Sequence, residues 1–86
     1  MQGLNIILSN RSHLIVLRTL YQASSALTGR DVERRSGLSN RAVMVALEAL
    51  TECQAVYREE VGRAYHFTLN QNHYLVRKGL KPAFDA

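Results

Sequence analysis

A single proline and a single cysteine occur among the 86 residues, and no apolar run approaches the roughly 20 residues that a membrane-spanning helix requires. The scarcity of proline, set beside a hydrophobic content of 47%, excludes a disordered chain and points to a packed, mostly helical domain. One cysteine, Cys53, cannot close an internal disulfide; near the end of an apolar helix it reads as a buried reduced thiol. No secretory leader is evident, so the expectation is a soluble cytoplasmic protein. Metal-ligating clusters are also missing. The three histidines, His13, His66 and His73, fall on three different expected elements, and no second cysteine completes a Cys-x-x-Cys pair, so no metal and no cofactor is implied. No Ser, His and carboxylate spacing suggests a nucleophile, and the expectation is a non-enzyme.

What is present concentrates between Thr28 and Arg63. Thr28 and Asp31 have the spacing of a capping box, in which the hydroxyl caps a backbone amide and the carboxylate favours the positive end of the helix dipole. Leu27 and Val32 flank that cap as a hydrophobic staple. The arrangement recurs one helix later, with Ser39 as N-cap between Leu38 and Val43. Gly37 stands between the two, where a helix of about two turns stops in the left-handed conformation. Two short stapled helices joined this way turn sharply, giving a helix-turn-helix.

The second of these helices runs from Asn40 to about Thr51, with Val43, Leu47 and Leu50 as its buried stripe and Asn40, Arg41, Met44, Val45 and Glu48 opposite. After Cys53 the period becomes two. Val56 to Glu60 and Arg63 to Leu69 read as a hairpin turning at Val61-Gly62, with Tyr65, Phe67 and Leu69 on one face. Upstream, Leu14, Leu17, Leu20 and Tyr21 mark a helix from about Arg11 to Gln22, with Arg11 and Arg18 off the stripe. The first ten residues read as a short helix, an extended arm being the alternative. Downstream, Asn70 offers a cap for a last short helix ended by Gly79 and stopped by Pro82.

The fold class is therefore mainly α with a small β-hairpin (α+β), a three-helix core plus wing and terminal helices. One domain covers residues 1–86, with the helix-turn-helix at about 28–52, the wing at about 55–69 and the C-terminal helix at about 71–79.

Charge follows this organisation. Residues 1–41 hold six arginines against Asp31 and Glu33, residues 42–70 carry −2, and residues 71–86 carry +2. Nine of the eleven basic residues are arginine, whose planar fork suits phosphates and guanine edges.

Leu27-Thr28-Gly29-Arg30-Asp31-Val32, Ser36-Gly37-Leu38-Ser39, Ala42-Val43 with Leu47 and Leu50, Val61-Gly62-Arg63 and Leu69-Asn70-x-x-His73 together resemble the ArsR-like winged-helix domains of prokaryotic regulators. They are most similar to the winged-helix module found ahead of nucleotidyltransferase domains. The resemblance implies sequence-specific binding of double-stranded DNA in transcription regulation, usually as a homodimer. On general grounds a helix fits the major groove, which makes Asn40, Arg41, Met44 and Val45 the candidate base contacts and Thr28, Arg30, Ser39, Arg58 and Arg63 the candidate backbone contacts.

Leu4, Ile7, Leu8 and Ile15 at one end, with Tyr74, Leu75, Val76 and Leu80 at the other, are the expected dimer contacts, through the N- and C-terminal helices. Three departures from the pattern keep a protein-interaction or accessory module as the alternative: Met44-Val45 where a polar pair is usual, Glu48 one turn on, and Glu59-Glu60 beside the wing tip. Arg35, at a position normally apolar, is expected to snorkel outward. The ending Lys81 to Ala86 resembles the start of a linker, leaving a small regulator and a piece of a larger protein both open.

Overall fold

The computed structural model describes residues 11–71. They form α1 (Arg11–Gln22), β1 (Leu27–Thr28), α2 (Gly29–Ser36), α3 (Asn40–Glu52), β2 (Val56–Val61) and β3 (Ala64–Leu69). The expected first and last helices, His73, and every expected dimer contact except the half-buried Ile15 lie outside the described residues.

Helix α1 buries His13, Val16, Leu17 and Leu20, the i, i+3, i+4, i+7 set of one helical face. Leu17 and Leu20 belong to the expected stripe. Leu14 and Tyr21 only flank the core, so the leucine repeat alone misplaced the centre of the face, which belongs to Val16 at 0% exposure. Arg11 and Arg18 are exposed, as is Arg35 on α2.

Helix α2 begins with the full capping box. The Thr28 hydroxyl accepts from the Asp31 amide at 3.2 Å and the Asp31 carboxylate accepts from the Thr28 amide at 3.1 Å. The donated Thr28 amide, then the Thr28 side chain and the neighbouring Arg34, hold the Asp31 carboxyl below its ordinary value. The helix ends on Gly37, whose φ of 76° lies in the left-handed region and whose N–H donates to the Glu33 carbonyl at 3.0 Å.

Helix α3 starts at Ser39, whose hydroxyl accepts from the Ala42 amide, and buries Val43, Ala46, Leu47 and Leu50. Its exit is a Schellman motif. Gln54 has a φ of 67°, its N–H donates to Thr51 at 3.1 Å, and the Ala55 N–H donates to Leu50 at 2.9 Å. Cys53, expected to be buried, is a half-buried reduced thiol whose Sγ donates to the Leu50 carbonyl, because at the C-cap, one residue past α3, it packs only against the margin of the core.

The three strands form an antiparallel sheet in the order β1-β3-β2. Strand β1 was not foreseen: Leu27 and Thr28, read as staple and cap, also pair with Phe67 and His66. Two residues are too few to show an alternating pattern. In the hairpin Val61 pairs with Ala64, so the turn is Gly62-Arg63, one residue later than the sequence suggested. Only Gly62, with φ 63°, takes the left-handed conformation there, which puts glycine at the first turn position.

Phe67 and Leu69 close the core under the helices, whereas Tyr65 is 45% exposed. Tyr65 pairs with Glu60 next to the hairpin turn, and the Arg58 guanidinium covers its ring at 4.6 Å from the centroid. Strand β2 is the longer of the two sheet edges, and its Arg58, Glu59 and Glu60 discourage pairing with another strand. No described helix is long and apolar enough to cross a membrane.

Candidate nucleic-acid interface

Helix α3 is amphipathic across its whole length. With Val43, Ala46, Leu47 and Leu50 at 0–1% exposure fixing its inner face, Asn40, Arg41, Met44, Val45 and Glu48 are left on the outer one. All four expected base-contacting residues are thus on one exposed surface at the start of the helix, but that surface has two flanks.

On one flank α3 meets α2. A cleft of about 540 Å³ is lined there by Arg30, Glu33, Arg34, Gly37, Leu38 and Asn40. Across it the Asn40 Nδ2 donates to the Glu33 carboxylate at 3.0 Å. One turn further along α3, Met44 lies over the start of α2: a Cβ placed on Gly29 would come within 3.8 Å of the Met44 sulfur. On the other flank a hollow of about 330 Å³ is lined by Ser12, His13, Ser39, Arg41, Ala42 and Val45. Among the described residues Arg41 makes no ion pair, and its guanidinium is free to engage a partner. His13, at 3% exposure, forms the hollow's inner wall, and burial pushes its imidazole below the ordinary value, favouring the neutral ring.

The expected backbone-contacting residues are distributed less uniformly. Arg30 is exposed and lines the α2 cleft, so its charge sits beside the turn. The hydroxyls of Thr28 and Ser39 are engaged as caps, which fixes the two helix starts that frame the site. Arg58 rests on the Tyr65 ring, and Arg63 occupies the exposed hairpin turn. Glu33 escaped sequence reasoning as part of the site; seven positions separate it from Asn40, and only the folded turn brings them together. Arg34, which pairs with Asp31, also lines the cleft unforeseen. Among the described residues no group of three or more His, Cys, Asp or Glu is placed to hold a metal ion.

No protein-family model and no curated protein matches the sequence. Solved structures do. Reduced HlyU from Vibrio cholerae N16961 superposes with a TM-score of 0.77 at 19% identity, covering 96% of this chain and 83% of that one. The fold is a winged helix-turn-helix. In its terms α2 and α3 are the helix-turn-helix and the β2–β3 hairpin is the wing. The winged helix is also similar to MepR, described as a transcription regulator of the Staphylococcus aureus multidrug efflux pump MepA, with a TM-score of 0.71 and 19% identity over 88% of this chain and 58% of that one. Human N-acetylserotonin methyltransferase, solved with SAM, matches at a TM-score of 0.64 and 17% identity, but 81% of this chain covers only 19% of the enzyme. The winged helix thus occurs in a regulator and within an enzyme, so function has to be argued from the surface.

Proposed function

We propose that this winged-helix domain binds double-stranded DNA sequence-specifically as an ArsR-like prokaryotic transcription regulator in the cytoplasm, acting as a homodimer through its terminal helices and without enzymatic activity. The observation that carries the reading is the outer face of α3, where Asn40, Arg41, Met44 and Val45 stand exposed above a fully buried inner stripe. A helix so presented enters the major groove with its first turns against base edges. Arg41 suits the two acceptors of guanine, Asn40 suits adenine, and Met44 and Val45 suit thymine methyls. Arg30, Arg58 and Arg63, with the α2 and α3 starts capped by Thr28 and Ser39, suit phosphates on either side and set the register. The similar fold of MepR, a transcription regulator, supports the same reading.

Selection from a randomised duplex pool at two salt concentrations tests it, with wild type and Arg41→Ala side by side. The expected outcome is a shared palindromic motif that relaxes at one base pair in the variant, at a cost of about 1–3 kcal/mol. Salt-sensitive binding without a motif, or no binding, overturns the reading. It would turn attention to Met44 and Val45, 49% and 53% exposed, as a protein-binding face of an accessory module in a larger protein, of nucleotidyltransferase type in the resemblance noted above.

A further inference from the structure

The hydrogen bond from Asn40 to Glu33 has a chemical consequence for what α3 can read. An asparagine amide carries an acceptor on one side and donors on the other, and its two orientations differ only by a half-turn of the terminal torsion. A free asparagine at the start of α3 can therefore answer either a base donor or a base acceptor. A carboxylate accepts only. With Glu33 3.0 Å away, the Asn40 amide must turn its nitrogen toward α2, which directs its carbonyl oxygen away from the carboxylate.

We propose that Glu33 is a specificity-positioning residue: it locks the Asn40 amide so that the outward oxygen accepts from a base amino group, favouring adenine N6 or cytosine N4 over the acceptor-only edges of guanine and thymine. This rests on the DNA-binding reading above. The turn is also held by bonds that do not involve the Glu33 side chain. The backbone carbonyl of Glu33, not its carboxylate, takes the Gly37 N–H, and the caps at Thr28 and Ser39 fix the helix starts. Arg30 and Arg34 line the same cleft, so the carboxylate faces local positive charge as well as the amide.

The test is duplex selection with wild type, Asn40→Ala, Glu33→Ala and Glu33→Gln, with thermal unfolding to verify folding. Asn40→Ala identifies the base pair that Asn40 reads. Glu33→Ala is expected to lose roughly tenfold in discrimination at that same pair. The Arg41-dependent pair should stay unchanged. Glu33→Gln, whose amide can accept or donate, should fall between wild type and Glu33→Ala at the Asn40 pair. The double variant Glu33→Ala/Asn40→Ala should discriminate no worse than Asn40→Ala alone. Unchanged discrimination in Glu33→Ala overturns the proposal while leaving DNA reading intact, and equal loss at every position overturns it in favour of a general structural role. A wild type that selects no motif defeats the DNA-binding reading and this proposal with it.

Discussion

Helices α2 and α3 both leave their last turns through a residue of left-handed backbone, but the two exits are built differently. At Gly37 the conformation is free of steric cost, no atom lies within 4 Å of where a Cβ would stand, and one backbone hydrogen bond closes the turn. At Gln54 a side chain is present and the conformation is imposed from outside. Two hydrogen bonds close the helix end, Ala55 and Leu50 both sit at 0% exposure, and the Asn70 side chain donates to the Gln54 carbonyl at 2.8 Å while its N–H donates to Ala55 at 2.9 Å. The first turn is open and borders the cleft that Arg30, Glu33 and Asn40 share; the second is tied into the sheet. A local choice of residue specifies the one and tertiary bonding the other.

The largest expected effect is at the tied exit. Leu50→Ala removes the apolar contact beneath the Schellman motif and leaves a cavity, so unfolding in denaturant should show a loss of about 2–5 kcal/mol. A loss well under 1 kcal/mol would mean that the exit does not depend on the core below it. The next effect is a contrast of sign. Gly37→Ala forces a Cβ into the left-handed region and should cost about 1 kcal/mol, although no clash arises. Gln54→Gly relieves the same strain and should stabilise by about 0.5 kcal/mol after the greater freedom of glycine in the unfolded chain is counted. Destabilisation by both substitutions would erase the distinction between the two exits.

The smallest effect concerns the helix entrances and is read from stability against pH. His13, beside the start of α3, has a folded value lowered by burial, so its contribution is complete above the ordinary 6.5 and is lost as pH falls from there toward the folded value. Asp31, in the first turn of α2, is lowered by its Thr28 bonds. Its contribution is complete above 3.8 and is lost as pH falls through the depressed folded value. His13→Gln should flatten the upper window and leave the acid limb in place. An unchanged slope near pH 6 would show that the α3 entrance is insensitive to this ring.

How far the sequence carried this picture follows the same division. The capping box at Thr28 and Asp31, the Ser39 cap and the Gly37 exit were legible because each is a local chemical fact. The two faces of α3 were legible because a period of 3.6 repeats over thirteen residues. Nothing in a glutamine announces a left-handed turn, and nothing in Asn70 announces that its amide will reach back sixteen positions to hold one. Strand β1 stayed hidden because its residues were already explained as staple and cap. At the site, Asn40, Arg41, Met44 and Val45 could be placed from periodicity, whereas the division into two flanks by Glu33 and His13 depends on how α1 and α2 pack against α3.

Thr28 is the last residue of β1 and also the cap of α2, paired to His66 on one side and bonded to Asp31 on the other. Mechanically, sheet and helix meet at a joint with no slack residue in it. β3, the strand that the hairpin shares with β1, therefore bears on the first turn of α2 with no linker between them, which joins the wing and the helix pair through one shared residue.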